Sequence, residues 1–255
     1  MTFSPEQIRG YAICTTPRSG SHYVCEILSS TGTLGFPQEY FNTKGMQSRG
    51  IQDYSSNSDS QISSILTAGL SRNGVYGVKV MSPYFDYNGR TGWVDRLPNL
   101  KLLYLERLDY LGQAISWVKA LQTGVYRSGD QVIEKYPHYD AVAIRKQLET
   151  IARSHARWRI YFARNDLSPT WLTYEDVVAA PDKLVDVVAG LIGERGPNNI
   201  DRTNINLEIQ RDASTEEWRA RFLADSRDLT YLDTFDSDTF WAWLRDRTKW
   251  ARRLA

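Results

Sequence analysis

The stretch "YAICTTPRSGSHYVCEILSS", residues 11–30, places a turn of small and polar residues between an apolar run and a helical pattern. Residues 11–15 are mostly apolar and suit a short strand, whereas residues 21–30 carry apolar side chains at helical spacing. The stretch therefore predicts a strand, a turn at residues 15–22 and a helix. Because such units, repeated along a chain, build a parallel sheet, this stretch decides which fold to expect from the rest.

That turn has the features of an anion-binding site, and we call it the anion loop. Gly20 allows a ligand to approach the backbone closely. The amide groups from Ser19 to His22 lie at the predicted start of a helix, where the helix dipole favours negative charge. Arg18, Ser19 and Ser21 add side-chain donors. The loop therefore suits a phosphate.

Two common phosphate loops do not match the anion loop. The nucleoside triphosphate loop needs the pattern G-x-x-x-x-G-K-[ST], and neither its first glycine nor its lysine is present. A phosphatase loop has the pattern C-x5-R, whereas Cys14 precedes Arg18 by only four positions. A capped helix without a ligand is the alternative for this segment taken alone.

Further apolar segments predict three more strands, separated by helical patterns. The strands fall at residues 74–81, 101–106 and 170–175, and the helices fall at residues 21–30, 61–70, 109–122, 139–165 and 181–193. Strands that alternate with helices favour a parallel sheet, because each crossover returns the chain to the same edge. We predict an α/β fold, a single P-loop-like domain over residues 1–255 with a central parallel β-sheet flanked by helices on both faces.

The composition excludes several classes of binding partner and indicates the cellular compartment. With 31 basic and 30 acidic side chains the net charge is +1, so no overall field draws nucleic acid or an anionic membrane. No segment reaches the roughly 18 apolar residues of a membrane span, and the N-terminal residues do not resemble a signal peptide. Cys14 and Cys25 suit reduced core residues. His22, His138 and His155 lack metal-ligand spacing. We expect a cytoplasmic protein without a metal.

A second anion site is predicted in "LERLDYLGQAIS", residues 105–116. Arg107 follows the third strand, and Ser116 lies two turns into a helix that begins near Asp109, on the same side as the helix start. An arginine at a strand end and a hydroxyl on the adjoining helix can hold a phosphate together. A surface ion pair is the alternative role for Arg107.

The order of four motifs carries a family likeness. The motifs are "PRSGS" at residues 17–21, "PQEYF" at 37–41, "GVKVM" at 77–81 and R-x-D-x-x-x-Q-A-x-S-W at 107–117. Later segments, "QTGVYR" at 122–127 and "RDASTEEWRARF" at 211–222, are similar as well. Together they resemble the bacterial trehalose 2-sulfotransferase family over roughly residues 11–225.

The resemblance implies a sulfotransferase that uses 3'-phosphoadenylyl sulfate (PAPS) as its donor, releases the bisphosphorylated nucleotide PAP and needs no metal. It implies that the 5'-phosphosulfate contacts the anion loop through Arg18, Ser19, Gly20, Ser21 and His22. It also implies that Arg107, Ser116 and Arg211 hold the 3'-phosphate, with Arg219 or Arg221 as alternatives to Arg211.

The resemblance also supplies the expected catalytic residues. Glu39 matches the family's catalytic carboxylate and is the predicted general base, with Tyr40 and Phe41 among the aromatic neighbours expected to raise its pKa toward neutrality. Arg18 is expected to stabilise the leaving phosphate. Lys79 lies in an otherwise apolar strand and is expected either to act on the substrates, by touching the transferring sulfonate or ordering the acceptor, or to pair with a carboxylate.

The acceptor and the assembly are the least constrained predictions. The expected acceptor is a small molecule with a hydroxyl group, a sugar such as trehalose or a glycolipid precursor, bound by Gln38, Tyr40, Phe41 and Trp117. The family likeness suggests a homodimer. Two other functions are alternatives, a small-molecule kinase with a degenerate phosphate loop and a nucleotide-binding protein without catalysis.

Overall fold

Four parallel strands form the centre of the molecule. The computed structural model describes residues 4, 6–82, 92–126, 130, 132–133, 136–205 and 213–225. Within them the strands are β1 (Arg9–Thr15), β2 (Val75–Met81), β3 (Leu100–Glu106) and β4 (Thr170–Thr173). Their order across the sheet is β2-β1-β3-β4, and all three pairings are parallel. The first strand of the chain is therefore central, with its carboxyl end beside those of β2 and β3.

Helices connect the strands. In chain order they are α1 (Ser21–Ser30), α2 (Thr43–Gln47), α3 (Ser58–Ile65), α4 (Trp93–Arg96), α5 (Tyr110–Thr123), α6 (Ala141–Arg164), α7 (Tyr174–Ala179), α8 (Pro181–Ile192) and α9 (Ala213–Asp225). No helix within the described ranges is long and apolar enough to cross a membrane.

Helix caps account for two boundaries that the sequence patterns misplaced. The predicted strand at residues 170–175 ends at Thr173, because this residue caps α7 by accepting a hydrogen bond from the Asp176 amide at 3.1 Å. The helix predicted at residues 61–70 begins at Ser58, because the Asn57 side chain accepts from two amides of its first turn.

Alternate residues of β1 face two separate cores. Tyr11 and Ile13 pack with α1 and α8, whereas Ala12 and Cys14 pack with α3 and α6 on the other face. Both cysteines of the chain, Cys14 and Cys25, are buried thiols, as predicted. The predicted α/β fold, a parallel sheet with helices on both faces, is confirmed. The extent of the domain over residues 1–255 stays a prediction.

A third apolar cluster lies away from the sheet and fixes the position of α5. Ala114, Ile115 and Val118 of α5 pack against α6 and against Trp218 and Phe222 of α9. Since α5 follows β3 directly, this packing holds the helix that carries Ser116 at the carboxyl edge of the sheet. Ligands of open α/β sheets bind at that edge.

Candidate active site

The anion loop has a backbone that few residues can adopt. Arg18 and Gly20 both have left-handed backbones, with φ angles of 62° and 82°. Gly20 also packs against the Tyr174 ring, where a Cβ atom would lie 2.1 Å from the nearest ring carbon. Glycine is therefore required at position 20. The following residue begins α1, so the first amides of the helix lack partners within it and are suited to an anion.

The loop is anchored to the ends of β1 and β3. The Thr15 hydroxyl donates to the Leu105 carbonyl at 2.8 Å and lies 2.7 Å from the hydroxyl of Ser19. The Trp158 indole donates to the Thr15 carbonyl at 2.9 Å. Ser19 is fully buried, so its hydroxyl supports the loop from within.

Glu39 and Lys79 form a buried ion pair, which we call the Glu39–Lys79 pair. Lys79 Nζ lies 2.9 Å from Glu39 Oε1, and the two side chains are only 1% and 10% exposed. Asn42 donates to the other carboxylate oxygen at 2.9 Å. The Gln38 carbonyl accepts from the Lys79 amide at 2.9 Å, which joins the two segments through their backbones. Of the two roles expected of Lys79, the structure shows pairing with a carboxylate, and that carboxylate is the predicted base.

The prediction that aromatic neighbours raise the pKa of Glu39 is wrong. Burial does favour the neutral acid, but the charge of Lys79 and hydrogen bonds from Lys79 and Asn42 outweigh it and lower the pKa to about 2. Tyr40 and Phe41 instead belong to the core. The carboxylate is thus ionised at neutral pH while the Lys79 ammonium lies beside it.

His22 connects the anion loop to the Glu39–Lys79 pair. Its Nδ1 atom lies 3.3 Å from Lys79 Nζ, and its Nε2 atom lies 3.9 Å from Glu39 Oε1. About a quarter of the His22 side chain is exposed. The anion loop and the predicted base therefore border one site.

The second predicted anion site contains an additional arginine. Arg107 lies 3.4 Å from Asp109 Oδ2, and its guanidinium lies 5.4 Å from the centre of the Tyr174 ring. Arg219 of α9 contacts both Asp109 oxygens, at 2.7 and 2.6 Å. Asp109 also caps α5 by accepting from the Gly112 amide at 2.9 Å. This carboxylate holds two guanidinium groups at the helix start.

Arg18 joins the two anion sites. Its Nε atom donates to the Ser116 hydroxyl at 3.0 Å, and its Nη1 atom donates to the Tyr126 carbonyl at 2.6 Å. Burial and the nearby charge of Arg107 lower the pKa of the Arg18 guanidinium. We call Arg18, Arg107 and Arg219 the arginine cluster. Three guanidinium groups in one place favour a ligand with more than one negative charge.

The residues predicted to bind the acceptor substrate differ in their burial and contacts. Tyr40 is 1% exposed and donates to the Phe36 carbonyl at 2.9 Å, and Phe41 is 5% exposed and packs edge-on against Trp93. Direct contact of Tyr40 and Phe41 with an acceptor is not supported, because the core encloses both side chains. Gln38 accepts from Arg49 at 2.8 Å.

Trp117 and Arg211 are two further positions that the sequence predicted for the site. Trp117 is half-buried beside the cluster of α5, α6 and α9. Arg211 lies outside the described residues. Among the residues that are described, no group of three or more His, Cys, Asp or Glu side chains could hold a metal ion.

A family model described as Stf0 sulphotransferase matches residues 10–225. The chain belongs to the Stf0 sulphotransferase family. The matched part contains the anion loop, the Glu39–Lys79 pair and the arginine cluster. Membership confirms the predicted reaction, in which a sulfotransferase takes its sulfuryl group from PAPS and releases PAP, over the kinase and the non-catalytic alternatives. The arginine cluster offers guanidinium groups at the start of α5 and beside the anion loop.

Two relatives of this Stf0 sulphotransferase are trehalose 2-sulfotransferases. The chain is 26% identical to the protein of Mycolicibacterium smegmatis in an alignment of 261 positions, gaps included, which covers 85% of this chain and 95% of the relative. It is 26% identical to the protein of Mycobacterium tuberculosis in an alignment of 259 positions, which covers 86% of this chain and 96% of that relative.

Solved structures of other sulfotransferases also match this Stf0 sulphotransferase. A sulfotransferase from Alicyclobacillus acidocaldarius superposes with a TM-score of 0.49 at 15% identity, over 91% of this chain and 96% of the other. The sulfotransferase domain of the curacin biosynthetic pathway superposes with a TM-score of 0.48 at 16% identity, over 84% and 98%.

Sequence reasoning missed two residues that border the candidate site. Tyr174 and Glu175 were assigned to a strand, yet Tyr174 packs on the anion loop, and Glu175 accepts from the amides of Leu108 and Asp109 at 3.1 and 3.2 Å. A signal was present, because Thr173 followed by an acidic residue three positions later is typical of a helix start.

The lowered pKa of Glu39 predicts a change in acid stability. Its pKa falls from 4.5 to about 2 on folding, so the pair stabilises the fold above about pH 5 and this contribution disappears as the pH falls toward 2. Wild type should therefore lose about 3 kcal/mol of unfolding free energy relative to Glu39→Gln between pH 5 and pH 2. Urea unfolding at several pH values measures the difference. Parallel pH profiles for the two proteins would contradict the ion pair.

Proposed function

We propose that this sulfotransferase transfers the sulfuryl group to a hydroxyl of a carbohydrate of the trehalose class, with Glu39 as the general base. The observation that carries the catalytic part is the contact of His22 with the Glu39–Lys79 pair, because it brings a carboxylate to the border of the anion loop. The trehalose 2-sulfotransferase activity of the two relatives supports the sugar acceptor. The fold alone names no acceptor.

The residues of the site divide the work of an in-line transfer. PAPS is the donor substrate and supplies the sulfuryl group. By analogy with phosphoryl transfer the transition state is loose, so positioning and charge stabilisation account for most of the catalysis. The amides of the anion loop and the Arg18 guanidinium stabilise the charge that develops on the leaving phosphate. The Glu39 carboxylate accepts the proton of the acceptor hydroxyl.

Lys79 adjusts the basicity of Glu39 during the reaction. With a pKa of about 2 the carboxylate is a weak base while Lys79 is its partner. An anionic sulfonate at the anion loop attracts the same ammonium group, and sharing that charge weakens the hold on Glu39. The bound acceptor also excludes water from Glu39, which disfavours the charged carboxylate. Both effects raise the pKa of Glu39 when the two substrates are bound.

The arginine cluster is the proposed site of the 3'-phosphate. Arg107 and Ser116 keep the roles that the sequence suggested, and Arg219 joins them because Asp109 holds it at the start of α5. Arg18 reaches Ser116 and so contributes to both phosphate sites. This arrangement supports Arg219 as the late arginine of the nucleotide site.

Assembly and compartment are part of the proposal. The two buried thiols fit a reducing compartment, so we retain the cytoplasm. We also retain the homodimer that the family likeness suggests, and sedimentation of the purified protein with and without acceptor measures it. A glycolipid precursor is included in the proposed acceptor class because it presents the same sugar hydroxyls.

Turnover with a panel of acceptors tests the proposed function. We expect PAP release and a sulfated product with PAPS and trehalose or a related disaccharide, and no product with lipid, polyketide or peptide hydroxyls of similar size. Glu39→Gln serves as the control for non-enzymatic transfer. Product formation only with an acceptor that is not a sugar would overturn the carbohydrate assignment and leave the sulfotransferase reaction in place.

A further inference from the structure

We propose that Gln113 is a positioning residue that holds the two phosphate-binding parts of the site at a fixed separation. Gln113 lies on α5, one turn after Asp109 and three residues before Ser116, and its side chain is fully buried. Its side chain hydrogen-bonds to Thr16 and Pro17, which come before Arg18–His22, the residues of the anion loop to which we assign the 5'-phosphosulfate. The proposal rests on the nucleotide site proposed above.

The contacts of Gln113 are made with the anion loop. Its Nε2 atom donates to the Thr16 hydroxyl at 2.8 Å and to the Pro17 carbonyl at 2.6 Å. A carbonyl can only accept, so the orientation of the amide is determined by Pro17. Within the described part of the chain, the Oε1 atom has no hydrogen-bond partner. The NH2 group is therefore the functional half of this side chain.

The hydrogen bonds of Gln113 lie next to a backbone conformation that is rare for residues other than glycine. Pro17 immediately precedes Arg18, a non-glycine residue with a φ angle of 62°, and such a backbone persists only when its surroundings hold it. Gln113 fixes the residue through which the chain enters this conformation. Three residues later on the same face of α5, Ser116 accepts from Arg18.

Two sets of hydrogen bonds connect α5 to the anion loop, and they differ in whether the nucleotide competes for them. Arg18 and Ser116 are both proposed phosphate ligands, so the phosphates compete for the groups that form their mutual hydrogen bond. Thr16 and Pro17 have no proposed contact with the nucleotide, and Thr16 is fully buried. The hydrogen bonds of Gln113 therefore persist in the complex and carry the fixed spacing.

A fixed spacing matters because the 5'- and 3'-phosphates of PAP belong to one ribose. Once one phosphate is bound, binding of the other is therefore intramolecular. Two sites that are already at the correct separation bind both groups without a further ordering cost. Removing Gln113 should reduce this advantage. The same change should weaken binding of a nucleotide with only one of the two phosphates much less.

The test compares nucleotides with one and with two phosphates. We expect Gln113→Leu to weaken binding of PAP at least about tenfold, as for loss of a buried hydrogen-bonding group, while adenosine 5'-phosphate and adenosine 3'-phosphate each weaken less than about threefold. Displacement calorimetry measures all three. Gln147→Leu is the matched control, because Gln147 is a buried glutamine on α6, and its PAP affinity should equal that of wild type.

A second substitution tests the loop side of the same contact. Thr16→Val removes one of the two acceptors and should produce the same pattern with a smaller loss. The double variant Gln113→Leu/Thr16→Val should bind PAP no more weakly than Gln113→Leu, because the shared hydrogen bond can be lost only once. Strictly additive losses would contradict the proposed contact.

Three outcomes would overturn the proposal or separate it from the proposed function. Equal weakening of all three nucleotides, or an unchanged PAP affinity with only a lower Tm, would make Gln113 a residue of the core and nothing more. If Gln113→Leu does not fold, Gln113→Asn replaces it, since the shorter amide cannot reach both acceptors. Failure of wild type to bind PAP would instead refute the nucleotide site itself.

Discussion

We expect Glu39→Gln to lower kcat by about 10²- to 10⁴-fold, while the affinity for PAP changes by less than about twofold. The glutamine amide has nearly the same shape as the carboxylate but cannot accept the proton of the acceptor hydroxyl. PAP affinity should not depend on this group, because the proposed sites of its two phosphates are the anion loop and the arginine cluster. Steady-state turnover with PAPS and calorimetry with PAP give the two values.

A matched control separates loss of the base from damage to the protein. Glu217 is an exposed glutamate on α9, and Glu217→Gln should leave both kcat and PAP affinity unchanged. A Glu39→Gln enzyme with wild-type turnover would eliminate Glu39 as the base. A parallel loss of PAP affinity would indicate that Glu39 supports the nucleotide site instead.

Lys79→Met should destabilise the fold by about 3–5 kcal/mol at neutral pH, because it leaves the Glu39 carboxylate buried without its cation. The same change should raise the pKa of Glu39, since burial then acts with less opposition. The stability penalty should therefore shrink in acid, where Glu39 can take up a proton. The double variant Lys79→Met/Glu39→Gln should recover much of the loss, because no unpaired charge remains.

Urea unfolding at pH 7 and at pH 5 measures these differences. Lys101→Met is the control, because Lys101 is an exposed lysine on strand β3 of the same sheet, and its effect should stay within about 0.5 kcal/mol. A double variant less stable than Lys79→Met would mean that the pair does not account for the penalty. The same ordering of variants should be seen in thermal unfolding.

Local patterns predicted the framework of the site well. Short apolar segments indicated the strands, and the carboxyl ends of neighbouring parallel strands lie at one edge of a sheet, so two motifs that follow β1 and β3 had to meet. The missed boundaries at Ser58 and Thr173 depend on single capping side chains, whose effect is local but specific. Capping competes with strand and helix patterns at element ends, which explains why those ends were misplaced.

The direction and partners of individual side chains were not predictable in this way. Arg18 was expected at the 5'-phosphosulfate alone, yet it reaches Ser116, 98 positions away. Arg219 reaches Asp109 across 110 positions, and its segment gave no sign of which arginine would do so. Long side chains of this kind adopt many rotamers, and packing among distant elements selects one.

By itself the sequence determined the α/β fold and the family and predicted the two anion motifs, because each follows from local spacing or from the order of short motifs. Only the tertiary structure decided that Lys79 is the partner of Glu39, and hence that the pKa of the proposed base is lowered and not raised. The physical reason is the distance along the chain between the residues that interact. Hydrophobic periodicity and capping act between residues close in sequence, whereas a pKa depends on charges and burial that folding brings together from distant parts of the chain.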